Sequence, residues 1–278
     1  AGVCGPIVTL ISSFASWVGV GGAPLMSIRM GQKHMRAASR IVANCFVLLL
    51  GMAFLIMFLV FLLKDRLLAW FGASPAIFPY ADTYLSWYLL GTVFALLATG
   101  MNQFIICQGF AKTGMLSVVL GAVCNIALDP VFIFVLGMGV KGAAIATVIS
   151  QMVSCACVLG FLFSKKPAVR ITFGSYRRRV MAQVLAVGLS PFLIIATDSI
   201  LIIVMNMAIQ HFGGNGQGDM LLTCNTIVQS FMLMISMPLG GITGGTQTIM
   251  GYNYGARRPD RIRKAFKHVL LLGLAFTS

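Results

Sequence analysis

The stretch GAVCNIALDPVFIFVLGMGVKGAAIATVISQ, residues Gly121 to Gln151, places Asn125, Asp129 and Thr147 among residues otherwise apolar enough for lipid. Polar side chains at membrane depth are costly, so each needs a partner or a task. Asn125 and Asp129 are four residues apart and lie one above the other on a single helix face. Pro130 follows the acid directly; a proline inside a helix removes one i to i−4 bond, freeing backbone oxygens beside the carboxylate and loosening the helix there. After Leu136 the GMG turn and Lys141 return the chain as a second apolar helix carrying Thr147. At about 1.5 Å rise per residue, Asp129 and Thr147 both sit roughly 10 Å from the same membrane face, so an antiparallel hairpin sets them side by side.

The surrounding chain has the composition this reading needs. It is 59% hydrophobic and 9% charged, with a mean hydropathy of +0.94, whereas soluble domains carry about 25% charged residues. The fold class expected is an all-α polytopic membrane bundle. Twenty Lys and Arg against six acids, all aspartates, give +14. A basic balance of that size can signal nucleic-acid binding, but here the basic residues punctuate apolar runs and form no soluble basic face, so no nucleic acid is expected. The cysteines at 4, 45, 107, 124, 155, 157 and 224 lack a CxxC pair and read as small membrane-compatible residues. His34, His211 and His268 fall near helix ends with no ligand set around them, so no metal site is expected. An embedded enzyme would need a nucleophile, base or metal constellation that this chain, without glutamate or an embedded histidine, does not offer.

Eight spans are expected, at about 3–28, 41–63, 83–110, 115–136, 142–163, 182–210 and 220–250, with an eighth begun after residue 268. Between the second and third, KDRLLAWFGASPAIFPYAD has the aromatic and proline content of an interfacial connection. Alternating the spans puts seventeen basic residues on one side and only Lys64, Arg66 and Lys141 on the other. By the positive-inside rule the basic loops face the cytoplasm, as in a multi-pass protein of the plasma (inner) membrane. The polar stretch 165–180 reads as a cytoplasmic linker between residues 1–164 and 181–278. Parity puts residue 1 outside, and the last apolar run is too short to span, so the chain is expected to be an internal portion of a longer one.

An internal repeat supports two halves. GVGGAPLMSIRMGQKHMRAASR (19–40) aligns with TGGTQTIMGYNYGARRPDRIRK (243–264) at an offset of 224, pairing Gly21 with Gly245, Met26 with Met250, Gly31 with Gly255 and Arg40 with Lys264. Both copies have one orientation, as in transporters whose halves are related by an axis along the membrane normal. Glycines 240, 241, 244 and 245 form small-xxx-small pairs expected to permit close helix approach.

NxxxDPVFIF followed by GxxGAAIATVISQ, with GGxTxGxQTIMGYNYGA and its basic tail, resembles the multidrug and toxic compound extrusion (MATE) family of secondary transporters, in its DinF-like branch. The resemblance implies a twelve-helix bundle of two pseudo-symmetric six-helix lobes. Residues 1–164 would correspond to helices 2–6 of the amino-terminal lobe, and 181–278 to helices 7, 8 and part of 9. It further implies that Asp129 is the amino-lobe proton-linked carboxylate, Asn125 its neighbour one turn back, and Thr147 the hydroxyl on the next helix. Gln151 shares the face of Thr147. Another branch places its cation site in the second lobe, where Asp198 is the counterpart and Asn206 lies near the same face.

The function implied is cation-coupled efflux, by H+ or Na+ antiport and alternating access, of amphipathic and often cationic organic compounds, by a monomer with no other cofactor. An embedded carboxylate that gains a proton in one conformation and loses it in another is the coupling element such an exchanger requires. Asp129 has a second reading, as a helix-end cap beside a proline turn, although apolar VFIFVL after Pro130 argues that the span continues. Asp198 is either a second cation or substrate group or a residue bonded to Thr197 or Ser199. Asn102, Gln103, Asn225 and Gln229 either line the substrate cavity or bind helices to one another. The competing function is a lipid-linked saccharide flippase of the same broader superfamily, which would need basic residues within the cavity.

Overall fold

The computed structural model describes residues 5–70, 78–172, 174, 176–212 and 214–277. They form α1 (Gly5–Gly31), α2 (Met35–Trp70), α3 (Phe78–Cys107), α4 (Ala111–Pro130), a π-helical turn (Val131–Val135), α5 (Gly139–Phe163), α6 (Arg178–Phe212), α7 (Gly214–Gly255) and α8 (Pro259–Thr277). Among the described residues seven helices are long and apolar enough to cross a membrane, α4 counting with its π turn. The eighth, α8, is a helix whose first half carries Asp260, Arg261, Arg263 and Lys264. Helices alone satisfy their backbone groups internally, which is what a chain this apolar requires in lipid.

Helix α1 sits at the centre, packed on α2, α3, α6 and α7, while α3 packs on α1, α2 and α5. Its glycines explain this position. A side chain at Gly19 would meet the backbone of Gly100 in α3, and one at Gly21 would overlap Val184 O in α6. Close backbone approach, together with dispersion contacts, drives association where lipid removes the hydrophobic advantage of burial. Around these crossings Ile11, Val18, Met26, Leu85, Leu96, Met101 and Phe104 are buried. From α1, Trp17 donates its Nε1–H to Leu185 O at 2.8 Å and stacks on Phe192 at 4.5 Å.

Several expected boundaries shift, those of α2 most: the second span is expected at 41–63, yet α2 has 36 residues, about 54 Å, so both charged ends project beyond about 30 Å of hydrocarbon. At its far end Lys64 Nζ lies 2.7 Å from Asp82 Oδ1, closing α2 against the start of α3. The middle of the interfacial connection, residues 71–77, lies outside the described residues. The linker ends at 177 and not 180, because Arg178 and Arg179, good helix formers, already belong to α6. That linker is tied down: Val169 N–H donates to Gln108 Oε1 at 2.8 Å and Arg177 N–H to Asn44 Oδ1 at 2.9 Å.

The repeat is reproduced bond by bond. Helix α1 ends at Gly31 and α7 at Gly255; α2 begins at Met35 and α8 at Pro259. Lys33 N–H donates to Met30 O and His34 N–H to Arg29 O, while Arg257 N–H donates to Tyr254 O and Arg258 N–H to Asn253 O, each at the same offset. These are two Schellman C-caps with a residue at positive φ in the same place, Lys33 at 61° and Arg257 at 53°. The glycines expected to permit close helix approach, 240, 241, 244 and 245, do not make it among the described residues. Among the described residues nothing comes within 4 Å of a side chain built at Gly240, Gly241, Gly244 or Gly245, and the approach is made one to three turns later, at Gly251 and Gly255.

Candidate functional site

Helices α3, α4 and α5 enclose a cavity of about 540 Å³ whose polar lining includes Asn102, Gln103, Ser117, Asn125, Thr147, Ser150, Gln151 and Ser154. Five residues singled out by sequence, Asn102, Gln103, Asn125, Thr147 and Gln151, therefore meet at one site. Asp129 stands one turn beyond the lining, where Asn125 Nδ2 donates to its Oδ1 at 3.3 Å. The helix runs past the acid into the π turn, so the apolar span continues to Val135. Pro130 leaves a wider turn behind it, with Leu136 N–H reaching back five residues to Val131 O at 2.9 Å.

The hydroxyl of Thr147 donates to Ala143 O on its own helix at 2.9 Å. It lines the cavity beside Asn125 while the Asn125 to Asp129 bond is made without it. Gln151 Nε2 donates to Tyr88 Oη at 3.4 Å. Two acceptors remain: Asn102 Oδ1 and Gln151 Oε1 are buried and have no hydrogen-bond partner among the described residues. A buried acceptor without a donor costs about 1–3 kcal/mol, which a ligand carrying N–H groups, or a hard cation, would recover. Elsewhere in the wall Ser154 Oγ donates across to Ser117 O at 2.7 Å and Ser150 Oγ to Thr147 O at 2.8 Å.

A second cavity of about 700 Å³ lies between α1, α6 and α7, lined by Val20, Ala23, Pro24, Gln103, Pro191, Ile194, Ile195, Thr243, Gln247 and Thr248 among others. Gln103 faces both cavities. Sequence reasoning missed Thr243 and Gln247, although their spacing of four puts them on one helix face, because the motif containing them was read for its repeat. The remaining candidates stay apart. Asp198 is exposed on α6, and its neighbour Ser199 donates to Ile195 O at 2.9 Å. Asn225 and Gln229, half-buried on α7, line neither cavity, and the side chain of Asn206 lies outside the described residues.

The MatE family profile matches residues 1–131 and 195–278, which includes the Asn125 to Asp129 pair and the whole of α7. The chain belongs to the MatE family. The multidrug export protein MepA of Staphylococcus aureus (strain NCTC 8325 / PS 47) is 24% identical to this MatE chain over 277 residues, 98% of the chain and 59% of the relative. A solved outward-facing multidrug resistance MATE family transporter of the MOP superfamily superposes with a TM-score of 0.90 at 26% identity, over 99% of this chain and 61% of its own. A MOP superfamily transporter from Pyrococcus furiosus, described as having a binding pocket of reverse polarity that suggests a different function, superposes at 0.89 with 26% identity over the same shares. The MatE chain thus spans about three fifths of the relatives it matches, and its helices are part of the twelve-helix MATE fold.

Proposed function

We propose that the protein containing this chain is a secondary multidrug exporter of the plasma membrane, exchanging H+ or Na+ for amphipathic, often cationic organic compounds by alternating access. The observation that carries this reading is the convergence of Asn102, Asn125, Thr147 and Gln151 on one cavity, with Asp129 bonded at its edge. Amide and carboxylate oxygens are hard, hydrogen-bond-accepting groups that suit a proton, a sodium ion or a protonated amine. Asp129 is the group whose charge changes; Asn125 stabilises the anion through its Nδ2–H, and protonation removes the reason for that bond. Pro130 and the π turn make this the softest part of the span, so the change is felt as a bend there.

Relatives of this fold differ in pocket polarity, so the lining must decide the substrate class. Among the described residues no Lys or Arg lines either cavity, which supports cationic or neutral cargo over a lipid-linked saccharide with its pyrophosphate. The mixture of Pro24, Ile194 and Ile195 with Gln103, Thr243 and Gln247 fits flat apolar rings bearing a few donors. In this reading residues 1–164 and 181–278 belong to two rocking lobes of a monomer, and the basic loops are cytoplasmic. The test is uptake of a fluorescent organic cation by proteoliposomes holding the full-length protein, under a proton gradient alone and a sodium gradient alone. One gradient should drive transport; silence under both would overturn the exporter reading.

A further inference from the structure

Alternation of the helices leaves three cations on the face opposite the basic loops, Lys64, Arg66 and Lys141, and two of them hold the rim of one apolar groove. The groove has a volume of about 430 Å³ and runs between α2 and α3, lined by Met57, Phe58 and Phe61 on the first helix and Trp87 and Leu90 on the second. Phe58, Phe61 and Leu90 are exposed there. Lys64 stands at one end, with Nζ 5.4 Å from the centre of the Phe61 ring and 3.3 Å from Ser86 Oγ, to which it donates. Lys141, near the start of α5, reaches the next residue along, its Nζ lying 4.8 Å from the centre of the Trp87 ring. From Lys64 to Met57 is seven residues, so the apolar floor extends about 10 Å from the cations toward the middle of the membrane.

Lysines at a membrane surface ordinarily extend their ammonium groups into water. Here both ammonium groups are drawn back over aromatic rings that line the groove. Asp82 Oδ1, 2.7 Å from Lys64 Nζ, balances that charge, while Asp82 and Ser86 together use two of the three N–H donors of an ammonium group. Among the described residues Lys141 faces no carboxylate, so it carries the net positive charge of the rim. We propose that the groove binds an anionic glycerophospholipid of that leaflet, with an acyl chain along Met57, Phe58 and Leu90 and the phosphate met by Lys141 and the third N–H of Lys64. An apolar channel ending in a net cation matches an acyl chain ending in a phosphate, and the same cation repels an amphipathic organic cation. The inference concerns a lipid partner and stands apart from the export reading.

The test uses the full-length protein in liposomes, with Trp87 as its sole tryptophan and the others replaced by phenylalanine. Quenching of its fluorescence by brominated phosphatidylglycerol is compared with quenching by brominated phosphatidylcholine. Half-quenching should need about three- to fivefold less of the anionic lipid. Lys141→Gln should bring the two lipids level, and Lys112→Gln, an exposed cation at the start of α4, should leave the preference intact. Equal quenching by the two lipids in the Lys141 protein would overturn the site, as would a preference that survives Lys141→Gln or is lost equally in Lys112→Gln. Absence of quenching by either lipid would overturn it too, by showing the groove covered by protein. Native mass spectrometry of the protein with its tryptophans intact gives a second reading, in which a retained phosphatidylglycerol should be lost in Lys141→Gln; retention at the same level would contradict the assignment.

Discussion

Lys33 and Arg257 hold the same left-handed backbone conformation, φ 61° and 53°, in two helix-ending turns 224 residues apart. Glycine is the usual occupant of that place because a Cβ there crowds the following carbonyl. Both positions nevertheless carry a cation, with Arg29 and Arg36 to either side of one and Arg258 and Arg261 after the other, so a charge is kept there at the expense of local strain. Lys33→Gly and Arg257→Gly should each stabilise the folded protein by about 0.5–1 kcal/mol. Thermal unfolding in detergent checks this, and a lower midpoint in both would contradict it.

The α1 and α6 crossing is expected to be intolerant of volume. A side chain at Gly188 would overlap Trp17 O, and Trp17 is itself held by the bond to Leu185 and by Phe192. Gly188→Val should destabilise by about 1–3 kcal/mol or prevent folding. Gly160, on α5 with nothing within 4 Å of its built Cβ, is the control: Gly160→Ala should be neutral or stabilise by up to about 1 kcal/mol. Similar effects at the two sites would remove the packing argument.

Trp17→Phe separates two contributions of one side chain. The substitution keeps a ring against Phe192 but deletes the Nε1–H that reaches Leu185 O at 2.8 Å. With that carbonyl already engaged in its helix, the loss should be about 0.5–1.5 kcal/mol, measured by thermal unfolding. A loss as large as that of Gly188→Val would show that ring packing, and not the bond, is the main contribution.

Pro130 should exchange stability for motion. It precedes the π turn Val131–Val135 and withholds one N–H from the helix that carries Asp129. Pro130→Ala should restore a regular turn and stabilise the protein by about 1–3 kcal/mol, while lowering the transport rate several-fold. Full-rate transport in a more stable Pro130→Ala protein would show that the bend has no part in coupling.

Much of this architecture is legible in the chain because it is written in local signals. Hydropathy marks the spans, and the repeat at offset 224 predicts matching helix ends that the structure reproduces from Gly31 to Pro259. The pairing of Asn125 with Asp129 follows from helical spacing alone. What could not be read depends on which helices meet. The four glycines from 240 to 245 look as suited to close approach as Gly251 and Gly255, and only tertiary position separates them. Cys107 reads as an inert small residue until α1 and α7 bring Ser27 and Thr248 to its thiol. Thr147 is placed at the site by its depth, but sequence does not reveal that its hydroxyl turns back to Ala143. A threonine in a helix always has that competing acceptor one turn behind it.

Asp129, held by Asn125 at the edge of the α3 to α5 cavity, is proposed to couple ion movement to substrate movement. The most direct measurement compares the full-length protein with Asp129→Asn in proteoliposomes, reading substrate exchange at equilibrium and uphill transport under the driving gradient. Exchange should persist within about a factor of three while gradient-driven accumulation is lost. Accumulation at the unaltered level in Asp129→Asn would contradict it.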